Sequence, residues 1–514
     1  MIHSVVRRDY YQDSVSLMLL STRLRTLPGV TQAGVMMGTR LNKERFEDAG
    51  LLTPDIAAAR ASDLCVVIVA DTEDAIAASL EAIELFFRAP QRAVSGPGGE
   101  ARPRTIESAL RRLPQADLAV ISVPGEYAAM EAERALRQGL HVFLFSDNVP
   151  VEDEVRLKTL AAKRGLLCMG PDCGTAIVAG VPLGFANQVP RGSIGLVGAS
   201  GTGLQEVTCL LARRGAGISH ALGTGGRDVS QPVGGRTFVA ALRALGRDPE
   251  TTVLVLVSKP PDPSVAATIL DEVKRIGKPS VVAFIGDERD GGVDGNVVRV
   301  ESLLEAAEAA VSLSRGEAWK SRGLAPADVA HGRWIEHVRT RLVPHQRWIR
   351  GVYCGGTLAD EAALILGRHL DHVSDPSAMP GVVAMTDPHR SAGHAVIDLG
   401  GDVFTRGRPH PMIDPGLRAE RVQREADDPA VAVLLLDVVL GYGAHADPAG
   451  ALVPTLRTAL ARRPDLAAIA SVVGTDEDPQ SAKQQRRMLE ETGVRVADSN
   501  AEAALLAATV VAGR

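Results

Sequence analysis

Nine short runs of apolar, largely β-branched residues recur along this chain, and a segment of helical length follows each of them. Continuously apolar strands that alternate with helices are typical of parallel sheets covered by helices on both faces. The pattern predicts an α/β fold with more than one sheet. The runs begin at residues 65, 118, 141, 193, 252, 280, 349, 431 and 466.

The length of the chain and two breaks in its strand pattern predict several domains. Its 514 residues exceed the roughly 250 to 300 residues at which a single core stops growing, which predicts three or four domains. The predicted boundaries are a Gly- and Pro-rich stretch at 95–104 and the loss of the strand pattern between about 315 and 348. The segments from 192 and from 348 look like two copies of one doubly wound architecture.

The first ninety residues follow a different pattern. Strand, helix, strand, short helix, strand and helix are predicted in turn. This order resembles a ferredoxin-like or ACT-like small domain.

Composition excludes several classes of partner. The formal net charge is −6 and like charges form no block, so we expect neither nucleic acid nor a membrane surface as a partner. No apolar run approaches the roughly 18 residues that span a bilayer, and the N-terminus has no apolar signal segment, which predicts a cytoplasmic, soluble protein. The five cysteines are scattered, which favours reduced thiols over a thiolate metal site.

Two glycine-rich loops are the strongest local signal for function. GASGTG at 198–203 and GTGGRDVSQPVGG at 223–235 each follow a strand, and the free N–H groups of a helix that starts in such a loop suit an anion. Both loops are expected at the crevice where open α/β sheets bind ligands, with Arg227 as a counter-charge. The alternative is that the glycines serve only tight packing. A nicotinamide site and a kinase-type P-loop are disfavoured, because no acidic residue closes the second strand and no lysine follows Gly203.

Five segments carry a resemblance to succinyl-CoA synthetase. Residues 169–177 (MGPDCGTAI) and 192–206 (GSIGLVGASGTGLQE) resemble its α subunit, and residues 117–150 resemble the later half of that subunit's CoA-binding Rossmann domain. Residues 394–404 and 431–448 look like the C-terminal domain of its β subunit. The fused layout, with the motifs VPGEYA, SDNVP and YCGGTL, resembles the FdrA family, in which α-like and β-like ligase halves lie on one chain.

The resemblance implies an architecture. It implies an α/β fold with a Rossmann-like CoA-binding-type domain, two flavodoxin-like CoA-ligase domains and a small ACT/ferredoxin-like N-terminal domain. The implied boundaries are 1–94 for the ACT/ferredoxin-like domain, 105–190 for the CoA-binding-like domain, 191–315 for the ligase-α-like domain and 346–514 for the ligase-β-like domain.

Three departures separate the chain from a succinyl-CoA synthetase. No histidine lies between residues 286 and 330, where the resemblance implies a phosphohistidine; the ATP-grasp domain has no counterpart; and the first Rossmann strand with its glycine turn is replaced. Glu206 stands where the synthetases keep a carboxylate beside the phosphohistidine. It is interpreted as a general base or a substrate-positioning group, and the alternative is that it complements its own helix N-terminus.

The resemblance also implies a reaction. Members of the FdrA family are associated with purine and allantoin breakdown as part of an oxamate carbamoyltransferase, in which oxalurate and phosphate give oxamate and carbamoyl phosphate. A small anionic substrate and other protein subunits are the expected partners; no metal is expected, no cofactor is certain, and CoA stays open. Glu206 and Arg227 are the expected catalytic residues. Phosphate and substrate are expected at Ser200, Gly201, Thr202, Gly203, Thr224, Gly225, Gly226, Gly400, Gly401, Asp402, Gly441, Tyr442 and Gly443.

Other polar residues have two interpretations each. Cys173 is a thiol nucleophile or a cysteine that packs a turn. Asp437 and Asp447 bind a hard cation or cap helices. Three histidines near the second glycine cluster are metal ligands or hydrogen-bonded side chains, namely His394, His410 and His445.

Two other functions stay open. One is an acyl-CoA synthetase that uses an ATP-grasp subunit in trans, against which the missing histidine argues. The other is a non-catalytic scaffold in which the ACT-like domain senses a small ligand.

Overall fold

The computed structural model describes residues 1–12, 14–88, 103–287, 292–325, 327–377, 379, 381–405 and 409–512. The predicted linker at 95–104 lies outside these residues except for Pro103 and Arg104. The chain forms two compact units: residues 1–116, 122–127 and 405–409 in the first, and residues 117–121, 128–404 and 410–514 in the second.

The first unit contains a three-stranded antiparallel sheet with helices. Strand β3 lies at its centre, because its side chains are apolar on both faces and nearly all are buried. Leu20 and Leu24 from helix α1 pack with Ile68 of β3 in the core. The elements are β1 (Ile2–Arg7), α1 (Ser14–Arg25), β2 (Val30–Met37), α2 (Arg40–Asp48), α3 (Pro54–Ala58), β3 (Leu64–Ala70), α4 (Glu73–Arg88) and α5 (Ile106–Arg112).

A small parallel sheet opens the second unit. Its strands are β4 (Leu118–Ile121), β5 (His141–Leu144) and β6 (Cys168–Met169), with β5 in the centre. Helix α6 (Gly125–Arg137) links β4 to β5, and helix α7 (Val151–Lys163) links β5 to β6. Parallel strands joined by helices fit the apolar runs that the sequence shows here.

An eight-stranded sheet follows. Its order is β13-β14-β12-β11-β9-β10-β7-β8, and the five strands β10, β9, β11, β12 and β14 are parallel. In chain order these five run 2-1-3-4-5, the flavodoxin-like arrangement. The strands are β7 (Thr175–Val178), β8 (Val181–Gly184), β9 (Arg191–Gly198), β10 (Ile218–Gly223), β11 (Val253–Ser258), β12 (Ser280–Phe284), β13 (Gly292–Asp294) and β14 (Val297–Arg299). The helices are α8 (Gly201–Arg213), α9 (Arg236–Arg247), α10 (Pro263–Ile276) and α11 (Leu303–Ser314), and a 3₁₀ turn covers Gly226–Val229.

A seven-stranded sheet completes the second unit. Its order is β17-β16-β18-β15-β19-β20-β21, and β18, β15, β19, β20 and β21 again run 2-1-3-4-5. The strands are β15 (Trp348–Tyr353), β16 (Val373–Asp375), β17 (Val383–Ala384), β18 (His394–Asp398), β19 (Val431–Val439), β20 (Ala467–Val473) and β21 (Arg495–Ala497). The helices are α12 (Ala327–Arg341), α13 (Gly356–Gly367), α14 (Asp402–Thr405), α15 (Gly416–Asp427), α16 (Pro448–Arg462), α17 (Ala482–Glu491) and α18 (Asn500–Val511).

The predicted α/β fold with two flavodoxin-like halves is confirmed. Two features of the connections are not in the prediction. Strands β7 and β8 lie within 105–190, yet they extend the following sheet rather than pairing with β6: β7 pairs with β10, and β8 pairs with β7. Helix α12 occupies the segment between about 315 and 348, and its Ile335 and Val338 are buried in the core of the second unit.

The two flavodoxin-like halves pack against each other within one chain. Helices α8 and α11 of the first half and α13 and α18 of the second share one hydrophobic core, to which Leu204, Ala307, Leu358 and Leu506 contribute. The first strand of each half, β9 or β15, lies in the middle of its sheet, where ligands bind in folds of this order. Among the helices in the described part of the chain, none is long and apolar enough to cross a membrane.

Candidate functional site

The first glycine-rich loop forms the N-terminus of helix α8. Ser200 is the N-cap, and its hydroxyl accepts the N–H of Gly203 at 3.0 Å. Among the described residues, no acceptor outside the helix meets the N–H of Gly201 or Thr202. These two groups and the positive end of the helix dipole are therefore available to an anion.

A second helix, α13, begins in the same way. Asp437 of β19 fixes the turn after β15 by accepting the N–H groups of Cys354 at 3.0 Å and Gly355 at 2.9 Å. Arg418 holds this carboxylate, with Nη2 at 2.7 Å from Oδ1. Gly355 is the N-cap and has no side chain to cap the helix, so the first N–H groups of α13 also lack a capping side chain.

The N-termini of α8 and α13 meet. The hydroxyl oxygens of Ser200 and Thr357 are 2.6 Å apart, and a Cβ at Gly355 would lie 3.0 Å from Thr202 Cγ2. Two positive helix ends at one point repel each other unless a negative group lies between them. Beside them, Thr175 is only 2% exposed and its hydroxyl has no hydrogen-bond partner among the described residues. A Cβ at Gly201 would come within 3.3 Å of this hydroxyl, which thus faces the start of α8.

Charged side chains border the start of α13. A Cβ at Gly356 would lie 2.8 Å from Asp398 Oδ2 and 3.7 Å from Lys259 Nζ. Lys259 pairs with the buried Asp360 at 2.7 Å. Burial lowers the pKa of Lys259, but the neighbouring carboxylates Asp360, Asp398 and Asp375 outweigh it and raise the pKa. The ammonium group is therefore charged at neutral pH, and it supplies a cation to the site.

The sequence analysis did not predict four residues of this site, namely Gly356, Thr357, Lys259 and Asp398. The motif YCGGTL at 353–358 repeats the strand, glycine and helix order of 198–203, so a local signal for Gly356 and Thr357 existed. Lys259 directly follows β11 and Asp398 is the last residue of β18, so both lie at the carboxyl ends of parallel strands, where functional side chains of such sheets lie. Their meeting depends on how the two sheets pack, which no local pattern shows.

The second glycine-rich loop has a different environment. It starts beside the first, as predicted, with Gly223 paired to Gly198 in register. However, the N–H of Thr224 binds Gly198 O at 2.9 Å, and Gly225, at φ +83°, lies against the carbonyl of Pro171. Packing of this kind was the alternative interpretation of the glycines.

Gly226 and Arg227 are exposed, as are Gln231 and Pro232 further along this loop. Arg227 donates to Val149 O at 2.7 Å and pairs with Glu154 Oε2 at 3.0 Å. None of its described contacts reaches residues 200–203. A role of Arg227 as a counter-charge to phosphate stays a prediction, and the structure gives the guanidinium a partner on helix α7.

Glu206 lies inside the contact between the two halves. Its side chain is 1% exposed, and Oε1 accepts the N–H of Asn500, the first residue of α18, at 3.0 Å. Burial raises its pKa, which Arg213 and the Asn500 N–H partly offset. Glu206 therefore caps the N-terminus of a helix in the other half, rather than its own helix. A role as general base has no contact in its support and stays a prediction.

The glycine pair at 400–401 lies near the site. The N–H of Gly400 donates to Asp398 Oδ1 at 2.8 Å, and a Cβ at Gly400 would lie 2.9 Å from Cys354 O. This close approach places the loop beside the start of α13. Asp402 begins the short helix α14 and is exposed.

Residues 441–443 connect the halves instead of lining an open loop. Gly441, at φ +124°, lies against Phe185 O, and its N–H donates to Gln480 Oε1 at 3.2 Å. The N–H of Tyr442 donates to Ala186 O at 3.1 Å. A Cβ at Gly443 would be 2.8 Å from the Phe185 ring. These backbone groups already have partners, so their predicted contact with a ligand gains no support from the structure.

The other polar residues make contacts that agree with their structural interpretations. Burial raises the pKa of the Cys173 thiol to about 12, which leaves it unreactive. Asp437 fixes the turn before α13, and Asp447 caps α16 by accepting Gly450 N–H at 3.1 Å. Each of the three histidines accepts a backbone N–H at Nδ1, at 3.2 Å for His394 and His410 and 3.0 Å for His445. Within the described ranges, no group of three or more His, Cys, Asp or Glu residues is placed to hold a metal ion.

Three family models match the chain. A CoA-ligase model matches residues 352–510, and a CoA binding domain model matches residues 190–286. The second match covers the half with the eight-stranded sheet, whereas the sequence placed a CoA-binding-type domain at 105–190. A model described as the AllF heavy metal-associated domain matches residues 1–103.

Two of these descriptions name a heavy metal and CoA, and the residues of each matched segment can be compared with what that group requires. Soft metals prefer thiolates, but the matched segment 1–103 contains a single cysteine, Cys65. Its side chain is fully buried, and burial raises its pKa to about 11, so it does not fit a thiolate metal site. For CoA, phosphate groups need free N–H donors and cations. The second loop of the matched segment does not fit them, because Gly225 is packed on Pro171 and Arg227 is paired with Glu154.

Curated relatives place the chain in a family. It is 45% identical over 513 residues to the uncharacterized protein YahF of Escherichia coli, covering 98% of this chain and 97% of that protein. It is 30% identical over 184 residues to the succinate–CoA ligase subunit alpha of Staphylococcus epidermidis, covering 34% of this chain and 57% of the subunit; it thus spans little more than half of that subunit. Among solved structures, the dinucleotide-forming acetyl-coenzyme A synthetase 1 of Candidatus Korarchaeum cryptofilum is 15% identical over 77% of this chain and 82% of that chain, with a TM-score of 0.29. The chain belongs to the family of YahF, within the succinyl-CoA synthetase superfamily.

Proposed function

We propose that this chain is a subunit of an enzyme that transfers a carbamoyl or related acyl group to and from phosphate, as in the FdrA-type oxamate carbamoyltransferase. The reaction converts oxalurate and phosphate to oxamate and carbamoyl phosphate. Carbamoyl phosphate is a mixed anhydride, as an acyl phosphate is. A site that holds phosphoryl groups in the superfamily suits this reaction without ATP, CoA or a phosphohistidine.

The meeting of the N-termini of α8 and α13 carries this proposal. The first N–H groups of the two helices, from Gly201, Thr202, Gly356 and Thr357, lie at helix starts that are in contact, and the charge of Lys259 lies beside Gly356. Such a set of donors would stabilise negative charge that develops on a leaving phosphate. The hydroxyl of Thr175, buried and without a partner among the described residues, supplies a further donor. In the absence of a histidine between 286 and 330, the anion itself is the group held there.

Two other observations bear on the assignment. The N-terminal match to a domain described for AllF sets this chain apart from a plain ligase subunit. The CoA-ligase and CoA binding domain matches favour a second candidate, an acyl-CoA synthetase that uses an ATP-grasp subunit in trans. Either enzyme needs other subunits, since the chain carries only part of a synthetase, and we propose a hetero-oligomer.

A ligand panel on the full chain tests the first candidate against the second. Ligands that bind only the folded state raise the melting temperature, by about 1 to 2 °C for a chain of this size when the concentration exceeds Kd tenfold. We expect phosphate, carbamoyl phosphate or oxamate to give this rise, measured by differential scanning fluorimetry beside oxalurate, CoA and ATP. A response to CoA or ATP alone would contradict the transferase and support the ligase.

Two variants locate the binding place. In Gly356→Ala the new methyl group would stand 2.8 Å from Asp398 Oδ2, and in Gly201→Ala it would stand 3.3 Å from the Thr175 hydroxyl. Both are expected to abolish the rise in melting temperature, because the methyl groups fill the space before the helices. Gly332→Ala is the matched control: it lies within α12 with no atom near its Cβ position, and its response should equal that of the unmodified chain.

A further inference from the structure

Asp398 has one oxygen committed to the fold and one directed to the site. Oδ1 accepts the N–H of Gly400 at 2.8 Å. Oδ2 lies 2.8 Å from the point where a Cβ at Gly356 would stand, and Lys259 Nζ lies 3.7 Å from the same point. A carboxyl oxygen and an ammonium group therefore border the space in front of α13, where the phosphate is expected.

The carboxyl group of Asp398 is not neutralised by Lys259. Lys259 is 2.7 Å from Asp360, which is 2% exposed. Burial, with Asp360 and Asp437 nearby, raises the pKa of Asp398 to about 7, against the lowering effect of the Gly400 N–H and Lys259. At neutral pH the group holds a proton for about half of the time.

Several titratable groups lie around Asp398. Burial lowers the pKa of His410 to about 4, so this ring, beside Gly400, stays neutral. Asp437 is held by Arg418 and two backbone N–H groups. The charged groups that act on Asp398 are Lys259, Asp360 and Asp437. The Cys354 thiol, whose pKa Asp398 helps to raise, and the His410 ring beside Gly400 are the other titratable groups near it, while Asp375 acts on Lys259 and Arg418 on Asp437.

From this placement we infer that Asp398 is a catalytic residue that carries the proton of the transfer reaction. The inference rests on the proposed function. An oxygen of HPO₄²⁻ attacks the ureido carbonyl carbon of oxalurate, a C–O bond forms and the C–N bond breaks. The phosphate's proton passes to the Asp398 carboxylate and from there to the leaving amide nitrogen, which gives carbamoyl phosphate and oxamate. Atoms and charge balance without a further reactant.

Sulfate is a suitable probe of Asp398, because it carries no proton near neutral pH, whereas phosphate brings a proton of its own. Sulfate keeps one charge state between pH 6 and 8, so any proton taken up on binding comes to the protein. A protonated Asp398 donates to the anion, whereas the carboxylate repels it. We therefore expect sulfate to bind the full chain with uptake of a proton, and with an affinity that falls up to tenfold per pH unit above pH 7.

The variant Asp398→Asn separates this role from a structural one. The Asn side chain retains an oxygen acceptor for Gly400 N–H but carries no exchangeable charge. Calorimetry in buffers of different ionisation enthalpy should show sulfate binding without proton uptake and with a flat pH profile. Asp447→Asn, at the cap of α16, should keep the proton uptake of the unmodified chain, and equal melting temperatures without ligand would establish that each variant folds.

The outcomes are distinct. Proton uptake that persists in Asp398→Asn overturns the role of Asp398 and leaves the anion site intact. Failure of the unmodified chain to bind sulfate overturns the anion site, and with it the proposed function. In the complete enzyme, Asp398→Asn should lower kcat by about 100-fold or more with a smaller change in KM, and an unchanged kcat would also overturn the inference.

Discussion

At the scale of single residues, Lys158 shows how the second glycine-rich loop is held. Its ammonium group, with no exposed surface, lies 2.8 Å from Asp228 Oδ1, 2.9 Å from Glu154 Oε1 and 2.8 Å from the carbonyl of Thr224. Burial lowers the pKa of Lys158, and the two carboxylates outweigh it and raise the pKa. Lys158→Met would leave both carboxylates buried with one cation fewer, so we expect the free energy of unfolding to fall by about 3 to 5 kcal/mol.

Chemical denaturation of the full chain measures this loss, and the same helix provides the control. Lys163 is the last residue of α7 and is exposed, so Lys163→Met should change the free energy of unfolding by about 0.5 kcal/mol or less. A loss below about 1 kcal/mol in Lys158→Met would mean that water or a rearranged Arg227 compensates the two carboxylates.

At the scale of elements, the contact of Glu206 with α18 decides whether this carboxylate is structural. Its folded-state pKa is raised, so its contribution to stability is complete below the unfolded value of about 4.3 and is lost as pH rises through the folded value. Glu206→Gln keeps an acceptor for Asn500 N–H and carries no charge. Relative to the unmodified chain, we expect this variant to gain stability as pH rises from 5 to 8, as measured by urea unfolding at each pH.

The companion change Glu206→Ala removes the acceptor from the start of α18. Relative to Glu206→Gln, it should cost about 1 to 3 kcal/mol at every pH, because neither variant side chain titrates. A stability difference between Glu206→Gln and the unmodified chain that does not vary with pH would contradict a buried, titrating cap.

The secondary-structure elements also show how much of the fold and of the candidate site the sequence predicts. The nine apolar runs correspond to strands, because a strand buried on both faces is encoded by its own residues. Eight of them have parallel neighbours as expected, whereas the run at 65 is β3, the centre of the antiparallel sheet. Ser200, Gly201 and Thr202 were found because strand, glycine and helix are contiguous. Lys259 comes from the other sheet, and its nearness to Gly356 depends on the packing of the two halves. Asp398 pairs in register with Tyr353 on the neighbouring strand β15, and the order of strands in a sheet is not visible in a local pattern. Arg227 was assigned to the phosphate from its position in a loop, while the structure shows it paired with Glu154 on α7.

At the scale of the whole molecule, both flavodoxin-like halves belong to one compact unit, and the candidate site exists only where they meet. Besides the shared core, Arg213 donates to Asp498 O at 2.6 Å and Glu361 accepts Leu303 N–H at 2.7 Å across this contact. A protease site inserted between Arg322 and Gly323, in an exposed segment, should therefore yield two fragments that co-elute on size exclusion at low micromolar concentration. The cleaved protein should keep its response to phosphate or oxamate, because the N-termini of α8 and α13 stay in contact. Separation of the fragments without denaturant would show that the covalent connection, rather than the buried contact, holds the site together.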